Sequence, residues 1–229
     1  MTPQPPHLAP DGRDFDGTLM TAASWSHQWQ RQPIAKHAYT ELSVRSYYLR
    51  AVLALVNPAE LRGRSSLELG CGTGIVSRAL YDALGLTRAV LVDFADEAAT
   101  IARSNVGARN MTVVQADVLN YEPRERFDLV FSIGLVEHFR GQAQQRAVHR
   151  HAELLAPAGT VVIIAPRKTL HCLPLMVYNR LRGYREYPVS DRRLAALCRN
   201  SGLHIRRRRR PVFGLLTGVA AGRAQPAAF

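Results

Sequence analysis

Lysine is almost missing from this chain: of its 30 basic residues 28 are arginine, and only Lys36 and Lys168 are lysine. No Lys-Ser or Lys-Thr follows the glycine-rich stretch at 70–74, which excludes a phosphate-cradling P-loop there. Cysteine is scarce too. Cys71, Cys172 and Cys198 are odd in number and far apart, so neither a disulfide framework nor a zinc site is encoded, and a reducing, cytoplasmic setting is expected. No apolar run is long enough to span a bilayer, and the polar, proline-rich start does not read as a signal peptide. Acids are scarce in one part only. Residues 1–140 hold 14 Lys or Arg against 15 Asp or Glu, whereas residues 141–229 hold 16 against 3. The formal net charge of +12 thus belongs to the C-terminal part. Such a basic half suits nucleic acid, an anionic membrane or an acidic substrate. A genome rich in GC codons accounts for arginine over lysine without any function.

The 229 residues suit one domain with a sizeable core. Residues 1–20 are rich in Pro, Asp and Gly and read as a flexible N-terminus. The rest, 21–229, reads as the domain proper, with N-terminal helices over 21–60. "TAASWSHQWQRQ" opens that region, and "HAYTELSVRSYYLRAVLALV" is a helix stopped by Asn57-Pro58. Then strands and helices alternate: "SSLELG" strand, "IVSRALYDAL" helix, "RAVLVDF" strand, "DEAATIARSNV" helix capped by Asp96. "MTVVQADV" and "FDLVFSIGL" are strands, "QAQQRAVHRHAELLAPAG" is a helix ending near Pro157 and Gly159, and "TVVIIAP" is a strand. This alternation predicts an α/β fold: a Rossmann-like, doubly wound, mostly parallel sheet, with ligands beyond the carboxyl ends of its strands.

The first strand ends in "SLELGCGTGIVSRAL", where Gly70, Gly72 and Gly74 alternate. The dinucleotide fingerprint G-x-G-x-x-G fails in both registers, because its third glycine would fall on Ile75 or Ser77. Glycine at every second position still points to close approach of a ligand to the main chain. Asp93 closes "VLVD" at the next strand end, where a carboxylate can accept both hydroxyls of a ribose or simply cap the next helix. Asp117 ends the third strand, placed either for an exocyclic amine of a base or for its own turn.

These residues resemble class I S-adenosylmethionine-dependent methyltransferases: Glu68-x-Gly70-x-Gly72-x-Gly74, then Asp93, then Ala116-Asp117, then "FDLVFSIGLVEHF", then "LLAPAGTVVII". The resemblance covers roughly residues 40–205. It implies methyl transfer from S-adenosyl-L-methionine, bound by Glu68, Gly70, Cys71, Gly72, Gly74 and Ile133 around the loop. It also implies Asp93 on the ribose hydroxyls, Phe94 against the adenine, and Asp117 with Val118 near the adenine amine. The chemistry needs a nucleophile aligned behind an already activated methyl, and an O- or N-nucleophile can need a base. His138, in the loop after the fourth strand, is the candidate base; its alternative is a histidine that pins the loop. The same loop is similar to part of the Glu-x-x-Glu-His metal site of some ubiquinone-type O-methyltransferases and small-RNA 2′-O-methyltransferases. Gly134 stands at the first Glu position, so no metal is expected.

Substrate identity must come from outside this core. Residues 166–189, after the fifth strand, form an insertion read as a substrate lid. It carries Arg167, Lys168, Arg180, Arg182 and Arg185 against one acid, Glu186, and Tyr178, Tyr184 and Tyr187 among apolar residues. "WSHQW" is placed to cover the cofactor from the other side. The lid predicts a small, anionic or aromatic acceptor. The alternative is an RNA methyltransferase using Arg206–Arg210, a run that otherwise reads as a charged edge strand with Ile205 and Val212 packing nearby. Nothing in the sequence sets an oligomeric state.

Overall fold

The structure, a computed structural model, describes residues 22–30, 47–181 and 185–223. Its elements run α1 Ala22–Gln30, α2 Leu49–Leu53, α3 Pro58–Leu61, β1 Ser65–Leu69, α4 Ile75–Leu84, β2 Arg88–Asp93 and α5 Asp96–Val106. They continue β3 Met111–Gln115, β4 Phe127–Ile133, α6 Gly141–Glu153, β5 Leu155–Pro166, α7 Leu173–Leu181, α8 Asp191–Asn200, β6 Leu203–Arg209 and β7 Leu216–Arg223. The expected helix over 37–56 is described only from Tyr47 onward, and its earlier residues lie outside the described ones.

The strands form one sheet in the order β3-β2-β1-β4-β5-β7-β6. The first five are parallel neighbours, as the alternation predicts. Side chains alternate across this sheet, and both faces are covered. Leu67, Leu69, Val130, Val161 and Ile163 point into the cluster shared with α6 and α8. Leu129, Phe131, Val162 and Ile164 point into the opposite cluster with α2 and α4. Each such fully buried side chain contributes about 1.5–3 kcal/mol of burial, which explains why these strands read as near-continuous apolar runs.

Two expectations are corrected, and two features were not foreseen. The helix before β5 stops at Glu153 rather than near Pro157, because Leu155 already pairs with Phe127 and starts β5 through an irregular register. Asp96 does not cap α5. Ala95 occupies the cap position without a side-chain bond, and Asp93 accepts from Ala95 N–H at 3.0 Å instead. β7 was not foreseen; it is antiparallel to both β5 and β6 and separates them. Val212 is half-buried in the turn that follows the arginine strand. It stands with Phe213 in a left-handed turn, φ 53° at both, where Phe213 is 93% exposed.

The arginine run is an edge strand, β6, paired only to β7. A bulge between Ile205 and Arg207 breaks its simple alternation. The Arg206 guanidinium lies over Gly222, where an added Cβ would come within 2.5 Å of it. Arg207 donates to the carbonyls of Ala54 and Val56 at the end of α2. Arg210 pairs with Asp191 at 2.7 Å.

Candidate functional site

The carboxyl ends of β1, β2 and β4 meet at the glycine loop. Gly70, Gly72 and Gly74 all have positive φ, at 70°, 52° and 70°. A left-handed conformation at alternate residues turns the chain sharply from β1 into α4 and favours glycine at each place. Gly70 and Gly74 are also packed close: added Cβ atoms would lie 2.8 Å from Leu135 and from Leu91. The outward side of the loop is bare main chain. Gly70 and Gly72 are half-buried, whereas Cys71 and Thr73 between them are buried. Burial pushes the Cys71 thiol well up, so it is a packing residue and not a nucleophile.

Two carboxylates flank this loop. Glu68 is buried beneath it and bonds Ser77 Oγ at 2.6 Å, which ties β1 to the first turn of α4. Burial raises its pKa to about 8. Asp93 closes β2 and accepts from Gly72 N–H at 2.8 Å and from Ala95 N–H at 3.0 Å. It therefore serves the start of α5, the alternative that the sequence left beside ribose binding, and also fixes the glycine loop, a role that the sequence did not suggest. Burial raises its pKa, opposed by the backbone N–H groups of Ala95, Gly72 and Phe94. Phe94 beside it is half-buried. Asp117 is exposed and engaged in its own turn, accepting from Leu119 N–H at 2.9 Å and Asn120 Nδ2 at 2.6 Å. Val118 next to it is buried in the core. Ile133, half-buried, ends β4.

The loop after β4 is held from several sides. Gln144 of α6 donates to the Val136 carbonyl at 3.1 Å. Tyr187 N–H donates to the Glu137 carbonyl at 2.8 Å. The Tyr187 ring itself packs under the Arg140 guanidinium at 4.3 Å. His138 is 8% exposed, and its Nδ1 lies 3.0 Å from the Arg185 carbonyl oxygen. A carbonyl only accepts, so Nδ1 carries the proton and Nε2 of the neutral ring keeps its lone pair. Burial holds the His138 pKa below its ordinary 6.5, against the raising influence of the Arg185 carbonyl and Glu186. Trp25 of α1 meets the His138 ring edge-on at 4.7 Å. The same helix reaches α5, where Gln30 donates to Glu97. α1 thus reaches from α5, which follows β2, to the loop after β4.

Sequence reasoning passed over Glu137. It is 2% exposed, and its Oε2 has no hydrogen-bond partner among the described residues. A Cβ at Gly134 would lie 3.2 Å from its Oε1, so the residue that departs from the Glu-x-x-Glu-His pattern makes room for the carboxyl that remains. Among the described residues no three His, Cys, Asp or Glu side chains gather as a metal-ligand set. Burial raises the Glu137 pKa to about 8. The folded protein keeps that proton up to about pH 8, whereas the unfolded chain releases it near 4.5. Stability is therefore lost as pH rises between those values. Glu137→Gln is expected to melt several degrees above wild type at pH 9 and to lose that advantage below pH 4.5, followed by differential scanning fluorimetry. Glu68 contributes a slope of the same sign and leaves a residue of it in the variant. An offset independent of pH would remove the buried acid as its cause.

A second buried imidazole, His151 of α6, is structural. Its Nδ1 donates to the Ala147 carbonyl at 2.7 Å and its Nε2 accepts from Ser132 Oγ at 2.9 Å. Complete burial drops its pKa to about 4. Of the expected lid residues, Arg182, Tyr184 and the Tyr178 side chain lie outside the described residues. Arg167 is drawn away to Asp191 at 3.4 Å. Among the described residues no helix is long and apolar enough to cross a membrane.

The comparisons with known proteins fall on the same elements. A family model described as a methyltransferase domain matches residues 67–159, from β1 through the start of β5. The malonyl-[acyl-carrier protein] O-methyltransferase 1 of Ilyobacter polytropus is 34% identical over 67 residues, which is 29% of this chain and 25% of that protein. The ubiquinone biosynthesis O-methyltransferase of Neisseria meningitidis serogroup C is 25% identical over 163 residues, 64% of this chain and 66% of that one. The matches thus span from a quarter to just under two thirds of these relatives. Among solved structures, the magnesium protoporphyrin IX methyltransferase from Synechocystis PCC 6803, with bound SAH, superposes with a TM-score of 0.68 at 17% identity, covering 89% of this chain and 96% of that one. The stretch that the methyltransferase-domain model recognises is the one that builds the glycine loop, Asp93 and the His138 loop.

Proposed function

We propose that this protein transfers the methyl group of S-adenosylmethionine to an oxygen or nitrogen of a small acceptor bearing an acidic group, with His138 as the base. The observation that carries the reading is the commitment of His138 Nδ1 to the Arg185 carbonyl, which leaves Nε2 as the proton acceptor on the loop whose Leu135 packs against Gly70. The residues present suit the cofactor. Bare backbone at Gly70 and Gly72 allows close approach of a nucleoside and methionine moiety, with Glu68, Cys71, Gly74 and Ile133 shaping the floor. The Asp93 oxygens each bind one N–H and keep lone pairs for ribose hydroxyls. Phe94 offers a face for the adenine, and Asp117 with Val118 borders its amine. When bound, S-adenosylmethionine supplies a methyl on a sulfonium, already activated for displacement.

The chain's own part is alignment, proton transfer and shielding. His138 Nε2 takes the proton from the acceptor oxygen or nitrogen during the displacement. A lowered pKa favours the neutral imidazole, the form that can accept a proton. Trp25 and the 185–189 stretch, serving as part of a lid, limit water at the ring. Exposed Lys168, Arg140 and Arg185 give the surroundings a positive field that favours an anionic acceptor. The names of the two curated relatives, one of ubiquinone biosynthesis and one of a malonyl-[acyl-carrier protein], support an O-acceptor of this kind. RNA is less favoured, since three of the five residues Arg206–Arg210 are occupied within the fold.

The test is a transfer screen with methyl-labelled cofactor against metabolite extract and total RNA in parallel. Label is expected in small molecules and to be insensitive to Arg208→Ala with Arg209→Ala. Label in RNA alone, lost in that double variant, would reverse the assignment.

A further inference from the structure

The segment between β5 and α8 turns an apolar ridge outward. Leu173, Val177 and Leu181 recur every fourth residue along α7 and so share one face, and Leu170 in the turn before it extends the line. Their exposures are 49%, 57%, 83% and 81%. Single apolar residues at a surface need no account, but four in one line do. Beside this line the chain packs inward: Cys172 is buried, with its Sγ 3.5 Å from the Leu215 carbonyl, and Met176 is half-buried. The flanks are cationic. Lys168, Arg180 and Arg185 are exposed, and no acid occurs between Pro166 and Glu186.

We infer that α7 is a docking element for the surface of an anionic lipid bilayer. A row of protruding aliphatic side chains bordered by cations matches the boundary between acyl chains and acidic headgroups. The row stands out furthest at its two ends, Leu170 and Leu181, so it suits a fluid phase that closes around it better than a rigid protein groove. The chain leaving α7 contributes the Arg185 carbonyl to His138 and Tyr187 N–H to Glu137. A docked α7 therefore sets the loop bearing His138 close to the lipid boundary, where an amphiphilic acceptor with an acidic group resides. The docking stands apart from methyl transfer; only the delivery of such an acceptor rests on the function proposed above.

The experiment uses the full chain with Val177→Cys carrying a polarity-sensitive fluorophore, since the three native cysteines are buried and escape labelling. Vesicles of phosphatidylcholine with phosphatidylglycerol are compared with phosphatidylcholine alone. The protein is expected to sediment with the anionic vesicles and the label to shift to the blue. Leu173→Glu with Leu181→Glu, at exposed positions where folding is checked by circular dichroism, is expected to weaken partitioning by about tenfold or more. Lys168→Ala with Arg180→Ala is expected to weaken it by about tenfold. Three results overturn the inference. One is sedimentation that survives the leucine changes and is lost with Arg208→Ala and Arg209→Ala, which assigns adsorption to β6. Another is an unshifted label on bound protein. The third is no vesicle binding, including the case in which light scattering shows a dimer that Leu173→Glu dissociates. A protein that binds vesicles but transfers no methyl group would retain the docking surface and reject the catalytic reading instead.

Discussion

His138→Ala is expected to lower kcat by about 10²–10⁴-fold while the dissociation constant for S-adenosylmethionine stays nearly unchanged. The separation of the two constants is the point of the measurement. His138 lies in the loop after β4, a different segment from Gly72, Asp93 and Phe94, so a pure base contributes to turnover and not to nucleoside binding. In the wild type the acid limb of the rate profile is expected below pH 6.5, because burial lowers the pKa of the imidazole and only its neutral form accepts a proton. If the residue merely pins the loop, loss of the Trp25 edge contact and of the Arg185 bond would instead lower the melting temperature and weaken binding along with rate.

Asp93→Ala carries the second large effect, on affinity. A roughly 1–3 kcal/mol loss is expected from charged hydrogen bonds to the ribose, about 5–150-fold in the dissociation constant measured by calorimetry. The structure adds a reason for the upper end of that range. The same carboxylate holds Gly72 N–H at 2.8 Å, and without it the backbone of the glycine loop loses the anchor that joins it to β2. Asp93→Asn keeps one acceptor oxygen and is expected to fall between. Unchanged affinity in a folded Asp93→Ala protein would falsify its place in the cofactor site.

How far the sequence was legible depends on which force decides each element. Where burial decides, the reading succeeds. The helices 75–84 and 96–106 begin and end where their sequence predicts, and the parallel strands match their Val/Leu/Ile runs. β7 is the counter-example. "LTGVAAGR" is built largely of Gly and Ala, residues of poor strand preference, and becomes a strand because β5 and β6 both pair with it. Small side chains are what the place demands: a Cβ at Gly218 would sit 3.0 Å from Leu55, and Gly222 lies under Arg206. At the site, the residue types and their order along the chain pointed to Gly70, Gly72, Asp93 and His138. What was hidden are partners distant in sequence, namely Trp25 and the Arg185 carbonyl on His138. The burial of Glu137 was hidden too, since the letter Glu carries no sign of where the chain will fold over it.

The strand order has a consequence for how the chain is made. β6 leaves the ribosome before β7 but can pair only with β7. Until residues 216–223 emerge, the nascent protein has no place for its arginine strand, and β5 shows an open edge of unpaired backbone groups. The parallel part, β1 to β5, can assemble as it is synthesised; the last two strands must lock in together. During that interval the five arginines at 206–210 keep the waiting strand charged and soluble, and their repulsion resists pairing with a neighbouring nascent chain.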